Sequence, residues 1–168
     1  MTRLALYQPD IPQNLGTIMR LCACMDTPLD IIEPCSFLLN EKKMLRAGMD
    51  YVNHVDYTRH RSWDAFKQWR TESSSHARII LFTTKTNVEY QDFQYKDDDI
   101  LLFGRESAGV PQEVVEYAND TVIIPMKSDV RSLNVALSAA MGLAEALRQT
   151  TGFPKMLGVE RDETTNQQ

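Results

Sequence analysis

The first of three chemically suggestive loops pairs an amide with an arginine. Asn14 is followed six residues later by Arg20 in an otherwise apolar stretch. A guanidinium is always charged and suits the binding of an anion or the stabilisation of developing negative charge. A helix cap at Asn14 and an arginine whose stem lies along apolar surface explain the same residues without a function. The spacing alone leaves both interpretations open.

The second loop carries a carboxylate between two glycines. Gly104 and Gly109 allow the backbone to approach a ligand closely. Glu106 lies between them and would repel a pyrophosphate, and no Lys-Ser/Thr pair follows the second glycine, so a nucleotide phosphate loop is excluded. The loop therefore suits an uncharged or cationic ligand, with a plain tight turn as the alternative.

The third loop, residues 123–134, leads from Pro125 into a helix that opens with Ser132, Leu133 and Asn134. We expect Ser132 to cap this helix, whose free N–H groups would form a polar rim. The helix is rich in small residues, namely Ala136, Ser138, Ala139, Ala140, Gly142, Ala144 and Ala146. Such residues permit close packing against a sheet or a second subunit, and they fit a purely structural helix equally well.

The elements that position these loops alternate between strands and helices. Apolar or alternating runs predict strands at residues 3–8, 29–33, 51–57, 78–84, 100–103 and 121–125. Helical periodicity and caps predict helices from Asn14 onward and at residues 41–47, 62–70, 111–118 and 132–149. The alternation implies an α/β fold, with a mostly parallel sheet and helices on both faces. In such sheets ligands bind at the carboxyl ends of strands, where all three loops lie.

The composition is that of a single globular domain. With 168 residues, 43% of them apolar, the chain predicts one domain over residues 1–158 and a polar tail over 159–168. It has no signal-like or membrane-spanning run, so we expect a cytoplasmic protein with no membrane contact. The three cysteines, Cys22, Cys24 and Cys35, are odd in number and lack metal-ligand spacing. We therefore expect reduced, buried thiols and no metal.

The charge distribution weighs both ways on nucleic-acid binding. A net charge of −5 argues against it, because phosphate contacts normally leave a basic surface. Seven basic residues nevertheless lie close together in the chain: Lys42, Lys43, Arg46, His54, Arg59, His60 and Arg61. A local RNA-binding patch and an ordinary solvated face both explain this basic segment.

Taken together and in order, the three loops resemble the signature motifs of the SPOUT, or α/β-knot, RNA methyltransferases. The match runs from about Leu4 to Leu147, and the segments that carry it are LYQPDIPQNLGTIMRLCA (6–23), IIEP (31–34), RAGMDY (46–51), FGRESAGVP (103–111) and IPMKSDVRSLN (124–134). Within the family, the chain is most similar to the single-domain tRNA (cytidine/uridine wobble-position) 2′-O-methyltransferases.

The resemblance implies a fold, a reaction and an assembly. The C-terminal part would form a deep trefoil knot, and the protein would be a homodimer whose active site is completed across the interface. S-adenosylmethionine would donate a methyl group to the ribose 2′-hydroxyl of the wobble nucleotide, position 34, in tRNA. The implied cofactor-binding residues are Phe82, Thr84, Gly104, Ile124, Met126, Ser132 and Leu133.

The resemblance also implies catalytic residues. Arg20 would lie nearest the reacting hydroxyl, with Asn14, Glu106 and Asn134 around it. Whether Arg20 removes a proton or stabilises charge stays open, although a guanidinium essentially keeps its proton. The residues expected to contact tRNA come from the basic segment: Lys42, Lys43, Arg46 and Arg59.

Other functions are kept as alternatives. One is methylation of another tRNA or rRNA ribose, and another is a non-catalytic RNA-binding module on the same scaffold. A nucleotide-dependent oxidoreductase would require a glycine fingerprint after the first strand, where only Gly16 is found. The chain departs from the usual family pattern at Leu15, at residues 135–137 and at Arg105, which stands where proline is frequent. None of these departures removes a residue that is implied in catalysis.

Overall fold

The computed structural model describes residues 1–39, 53–73, 77–130 and 132–155. These residues form six strands and four helices. The strands are β1 (Arg3–Tyr7), β2 (Leu29–Ile32), β3 (Tyr57–His60), β4 (Ile79–Phe82), β5 (Ile100–Phe103) and β6 (Asp120–Val122). The helices are α1 (Pro12–Met25), α2 (Trp63–Glu72), α3 (Gln112–Tyr117) and α4 (Val135–Thr150).

The strands form one sheet in the order β3-β2-β1-β5-β4-β6, and every pair is parallel. The register aligns Leu6 with Phe103 and Phe82 with Phe103, so β1, β4 and β5 end side by side. β2 and β3 lie on one side of β1, and β4, β5 and β6 lie on the other, so the strand order reverses between β1 and β5. Loops that follow these strands therefore converge on one edge of the sheet.

Helices cover both faces of the sheet, as predicted. Successive side chains of a strand point to opposite faces, and β1 divides in this way: Leu4 and Leu6 enter one core, while Ala5 and Tyr7 enter the other. The first core contains the buried faces of α1 and α4, which pack against each other. The second contains residues from α2 and α3.

Two helix starts differ from the sequence-based expectation. Helix α1 begins at Pro12, two residues before Asn14, because a proline at the first helical position needs no N–H partner. Asn14 is therefore inside the helix and is not its cap. Helix α4 is capped by Asn134, whose Oδ1 accepts from the N–H groups of Ala136 and Leu137, and not by Ser132.

The third strand also lies elsewhere than predicted. A strand over residues 51–57 is wrong for its described part, because residues 53–56 form a turn and β3 begins at Tyr57. The start of β3 is determined by the pairing with β2 and not by the alternation in the sequence. In this register Tyr57 pairs with Leu29, the first residue of β2. The predicted helix at 41–47 and the polar tail at 159–168 lie outside the described residues.

The remaining elements follow their predictions within a few residues. β5 has the predicted bounds, and Ser62 caps α2 by accepting from the Ala65 N–H at 3.1 Å. Within the part of the chain that the structure describes, none of the helices has the length and apolar character that crossing a membrane requires.

Candidate active site

A cavity of about 340 Å³ opens at the carboxyl ends of β4, β5 and β6. All seven residues that were expected to bind the cofactor line it: Phe82, Thr84, Gly104, Ile124, Met126, Ser132 and Leu133. They come from three separate loops, and the parallel register of the sheet brings those loops together. The volume is within the range that small-molecule sites occupy, roughly 300–1,000 Å³.

The glycine loop forms one wall of this cavity by folding back on itself. Arg105 and Gly109 exchange backbone hydrogen bonds of 3.0 and 2.8 Å. A Cβ on Gly104 would lie 2.7 Å from the carbonyl carbon of Gly109, so the closed turn leaves no room for a side chain there. Gly109 has a φ of +65°, which glycine adopts without strain. Gly104 therefore allows the two sides of the turn to approach closely, whereas Gly109 provides the left-handed backbone conformation.

Three of the expected catalytic residues form a continuous hydrogen-bonded chain beside the cavity. The Asn14 amide donates to Glu106 Oε1 at 2.9 Å, and Asn14 Oδ1 accepts from the Asn134 amide at 3.0 Å. Asn14, Glu106 and Asn134 all line the cavity, and Asn14 is only 9% exposed. Each of the two amides donates one hydrogen bond and accepts at its oxygen. All the hydrogen bonds therefore run in one direction, from Asn134 through Asn14 to the Glu106 carboxylate.

A second tie joins the first and second loops. Glu106 Oε2 accepts from the Asp10 N–H at 2.9 Å. The Asp10 carboxylate accepts in turn from the Ser107 N–H at 3.1 Å, from the Ser107 hydroxyl and from the Ser36 hydroxyl. These hydrogen bonds lower the pKa of Asp10, and the bond from the Ser107 hydroxyl lowers it most. The Asp10 carboxylate is therefore available to accept these hydrogen bonds at neutral pH. The two neighbouring carboxylates are thus both engaged in fixing the loops.

A third contact sets the floor of the cavity. Gly142 of α4 lies against Phe82, and a Cβ at this position would be 2.5 Å from the ring atom Cζ. The Phe82 ring stacks on Phe103 with centroids 4.6 Å apart. A small residue in α4 therefore lets the helix approach the strand ends and fixes the aromatic ring that lines the cavity.

Arg20 does not lie in this arrangement. It is on the exposed surface of α1 and is absent from the cavity lining. Six residues at roughly 100° each place it about 120° around the helix from Asn14, and about 9 Å along the axis. Within one chain the structure thus brings together Asn14, Glu106 and Asn134 and leaves Arg20 apart.

The basic segment is only partly described, because Lys42, Lys43 and Arg46 lie outside the described residues. Arg59 is on β3, with 43% of its side chain exposed and an ion pair of 2.6 Å to Glu33. His60 is buried and contacts Asp30 at 2.8 Å. The expectation that His60 adds to a basic surface is therefore wrong, since alternation along β3 turns it into the core.

The cysteines differ from one another. Cys22 is buried, Cys24 is exposed and Cys35 is intermediate, and all three are free, so burial was correctly predicted for Cys22 alone. Burial raises the pKa of the Cys22 and Cys35 thiols to about 12. Over the described ranges, no group of three or more potential metal ligands is found.

Some site residues were missed by sequence reasoning. Asp10 and Ser107 tie the loops, and their signal was position alone, since each lies next to or within a loop that had been singled out. Arg105 also lines the cavity, whereas the sequence marks it only as a departure from the family pattern.

Comparison with known proteins identifies the same scaffold. The model of the SpoU rRNA Methylase family matches residues 1–144. The chain is 50% identical over 158 residues to a tRNA (cytidine(34)-2′-O)-methyltransferase of Beijerinckia indica, covering 94% of this chain and 98% of that protein.

Solved structures agree with this assignment. One, from work on the 2-OH methylation of C/U34 on tRNA, has a TM-score of 0.82 and 41% identity, and the match covers 90% of this chain and 97% of that one. Another, an AdoMet-bound rRNA methyltransferase from Sinorhizobium meliloti, has a TM-score of 0.77 and 27% identity, covering 88% and 56% of the two chains. The converging loops, the parallel sheet and these similarities agree: the chain belongs to the SpoU rRNA methylase family.

Proposed function

We propose that this protein uses S-adenosylmethionine to methylate the ribose 2′-hydroxyl of the wobble nucleotide, cytidine or uridine 34, in tRNA. The observation that carries the proposal is the cavity at the ends of β4, β5 and β6, with the Asn134–Asn14–Glu106 chain along its side. The relatives matched over nearly their whole length carry the same activity in their names, which supports the choice of substrate.

The cavity fits S-adenosylmethionine better than a phosphorylated cofactor. Its walls include apolar side chains such as Phe82 and Ile124, together with the backbone of Gly104. Glu106 places a negative charge beside the pocket, which favours a cationic sulfonium and disfavours a pyrophosphate. A family neighbour binds AdoMet, in agreement with this interpretation.

The proposed division of labour assigns positioning to the hydrogen-bonded chain. When bound, S-adenosylmethionine supplies an electrophilic methyl group and leaves as S-adenosylhomocysteine. Glu106 and Asn134 hold the Asn14 amide in place through bonds of 2.9 and 3.0 Å, so that the side of the cavity is preorganised for the incoming ribose. The Arg20 guanidinium stabilises the negative charge that develops on the 2′ oxygen while the hydroxyl proton passes to solvent water.

This role for Arg20 requires a second copy of the chain. Arg20 is outside the cavity of its own chain, so we propose a homodimer in which the arginine of each subunit completes the site of the other. The neighbouring surface supports this assembly: Leu137 and Met141 lie one turn apart on α4 and are 56% and 37% exposed. Helix α4 packs against α1, which carries Arg20. The apolar face of α4 and Arg20 therefore lie in the same helical layer, on the same side of the sheet.

We also propose that the C-terminal segment forms a deep trefoil knot. Support comes from the β4–β5 connection, which touches both parts of the chain that follow β6. Ile123 exchanges backbone hydrogen bonds with Val88 and Tyr90 at 2.8 and 2.9 Å, and the Gln149 amide of α4 donates to the Phe93 carbonyl at 2.9 Å. An experimental structure that traces residues 123–135 outside that connection would contradict the knot.

The tRNA-contacting surface is the least specified part of the proposal. Lys42, Lys43 and Arg46 stay predicted tRNA contacts, and Arg59 joins them through the part of its side chain that the Glu33 ion pair leaves exposed. Since tRNA is a cytoplasmic molecule, the proposed substrate also accounts for the expected cytoplasmic location.

The direct test is nucleoside mass spectrometry of tRNA after incubation with the protein and S-adenosylmethionine. The expected product is a 2′-O-methylated nucleotide at position 34. A matched tRNA that already carries a 2′-O-methyl group at this position should accept no further methyl. Methylation elsewhere in tRNA, or in rRNA alone, would favour the broader ribose-methylation alternative, and tRNA binding without turnover would favour a non-catalytic module.

A further inference from the structure

Arg105 is a cation that lines the cavity, in a protein whose net charge is −5. Four other arginines have carboxylate partners: Arg3 with Asp30, Arg59 with Glu33, Arg78 with Asp99 and Arg148 with Glu145. For Arg105, no carboxylate of the described residues lies within the 4.0 Å of an ion pair. Its guanidinium therefore lies at the site without an ion-pair partner among these residues, and its charge is only the smallest of the influences that lower the pKa of Asp10.

The Arg105 side chain also has a donor without an acceptor. Its Nε is buried and makes no hydrogen bond to any described residue. Leaving such a donor unsatisfied costs about 1–3 kcal/mol, more for a charged group. The guanidinium carbon lies 6.0 Å from the centroid of the Tyr7 ring, which places the group between the ends of β1 and β5.

The carboxylate next to Arg105 in the chain, Glu106, and the Asp10 carboxylate that is tied to the same loop are already occupied. Glu106 accepts from the Asp10 N–H and from Asn14, and Asp10 accepts from Ser107 and Ser36. Turning either carboxylate toward Arg105 would break the ties that hold the first and second loops together. A partner for Arg105 must therefore come from outside this hydrogen-bonded network.

We propose that Arg105 binds a phosphodiester of the RNA strand next to the ribose that is methylated. The inference rests on the proposed function, since only an RNA substrate brings phosphates to this cavity. Guanidinium groups hold phosphate oxygens through paired, charge-assisted N–H donors. The bound phosphate satisfies Nε and fixes the position of the adjacent 2′-hydroxyl, so Arg105 is a substrate-positioning residue at the carboxyl edge of β5.

The test compares Arg105→Gln with Arg61→Gln as a matched control. Arg61 is exposed and follows β3 at the same edge of the sheet, two strands away from β1. Binding of tRNA is measured by fluorescence anisotropy over a range of salt concentrations, and S-adenosylmethionine binding by calorimetry. Arg105→Gln should weaken tRNA binding about tenfold or more, lower the salt slope by about one charge and leave cofactor affinity within about twofold.

A modified substrate locates the contact. An anticodon stem-loop with a neutral methylphosphonate next to nucleotide 34 removes one phosphate charge. If Arg105 binds that phosphate, the losses from Arg105→Gln and from the methylphosphonate should not add, whereas the losses from Arg61→Gln should. Arg105→Lys should recover part of the affinity, and unchanged melting temperatures exclude unfolding as the cause.

Several results would overturn the assignment. A loss of cofactor affinity with tRNA binding unchanged would mean that the anion is the methionine carboxylate. Equal losses of tRNA affinity in Arg105→Gln and Arg61→Gln would mean that Arg105 attracts tRNA only diffusely. The same conclusion would follow if the loss from Arg105→Gln adds to the loss from a methylphosphonate on either side of nucleotide 34. Failure of the proposed function is recognised separately, because the unmodified protein would then not methylate the unmodified tRNA.

Discussion

Asn134 donates its amide hydrogen to Asn14 Oδ1 at 3.0 Å, and so joins residues that are 120 positions apart in the chain. The same Asn134 caps α4 through its Oδ1, so the N-terminus of α4 and the buried face of α1 are held by one side chain. Asn14 then passes the connection to Glu106. Three loops of the sheet edge are thus joined through two amides and a carboxylate.

Asn14→Asp should destabilise the protein although it barely changes the side-chain volume. The amide donor to Glu106 is replaced by an oxygen, which puts two carboxylates face to face in a largely buried site. We expect the free energy of unfolding to fall by about 1–3 kcal/mol and methylation to fall with it. Urea denaturation at neutral pH and a methyl-transfer assay measure the two effects.

The matched control for this change is the double variant Asn14→Asp with Glu106→Gln. The amide introduced at position 106 can donate to the carboxylate introduced at position 14, while its oxygen accepts from the Asp10 N–H. Every hydrogen bond of the chain then regains a partner, so stability should recover in large part. A double variant that is as unstable as the sum of its single changes would contradict this account of the cluster.

Gly104→Ala should weaken cofactor binding without unfolding the domain. The new Cβ meets the backbone of Gly109 at 2.7–3.0 Å, so the turn must open and the cavity wall must move. We expect a loss in S-adenosylmethionine affinity of about tenfold or more, equivalent to about 1.4 kcal/mol. Gly109→Asn is the contrast, because its Cβ meets open space and asparagine tolerates the left-handed region. Equal losses in both variants would argue against a steric cause.

Gly142→Ala should lower both stability and cofactor affinity, against the usual preference of helices for alanine. Alanine gains about 1 kcal/mol in helix propensity, but its Cβ would press on Phe82 and overpacking typically costs about 1–3 kcal/mol. Ala144→Gly on the exposed side of α4 gives the size of the propensity effect in this helix. Thermal unfolding and calorimetry test the prediction, and a stabilised Gly142→Ala protein would mean that α4 has room to move.

Arg20→Ala should abolish methylation and leave S-adenosylmethionine binding intact, because Arg20 does not line the cavity of its own chain. Mixing this variant with an inactive Gly104→Val protein tests completion of the site across a dimer. In a heterodimer one site then carries both changes and the other carries neither, so a statistical mixture should recover about a quarter of the normal activity. A mixture with no activity, despite subunit exchange, would place Arg20 in its own site.

Leu137→Glu should disrupt the proposed dimer while leaving each subunit folded. The side chain is 56% exposed on α4, so the substitution costs little in the monomer but buries a charge at an apolar interface. Light scattering should find the mass halved, with methylation lost and circular dichroism unchanged. The control is Thr71→Glu, at an exposed position of α2 on the opposite face of the sheet, which adds the same charge and should leave the mass unchanged. Equal dissociation in both variants would mean that charge alone, and not the position of Leu137, is responsible.

Much of this protein could be predicted from local sequence. The apolar run at Ile100–Phe103 is a strand with the predicted bounds, because four consecutive buried residues fit a strand that is covered on both faces. Ser62 caps α2 as predicted, since a serine oxygen reaches N–H groups of its own first turn. The seven residues that were predicted to bind the cofactor line one cavity, because parallel strands bring their carboxyl ends to one edge.

The partners of Asn14 and Asn134 and the exposed position of Arg20 are set only by the tertiary structure. A local pattern makes Asn14 a helix cap, but its partners, Glu106 and Asn134, come from loops about a hundred residues away. Arg20 and Asn14 share a helix, yet only the packing of α1 against the sheet and α4 decides that one faces the surface and the other the cavity. Sequence spacing sets which residues share an element, whereas the long-range contacts that determine their partners exist only once the sheet has formed.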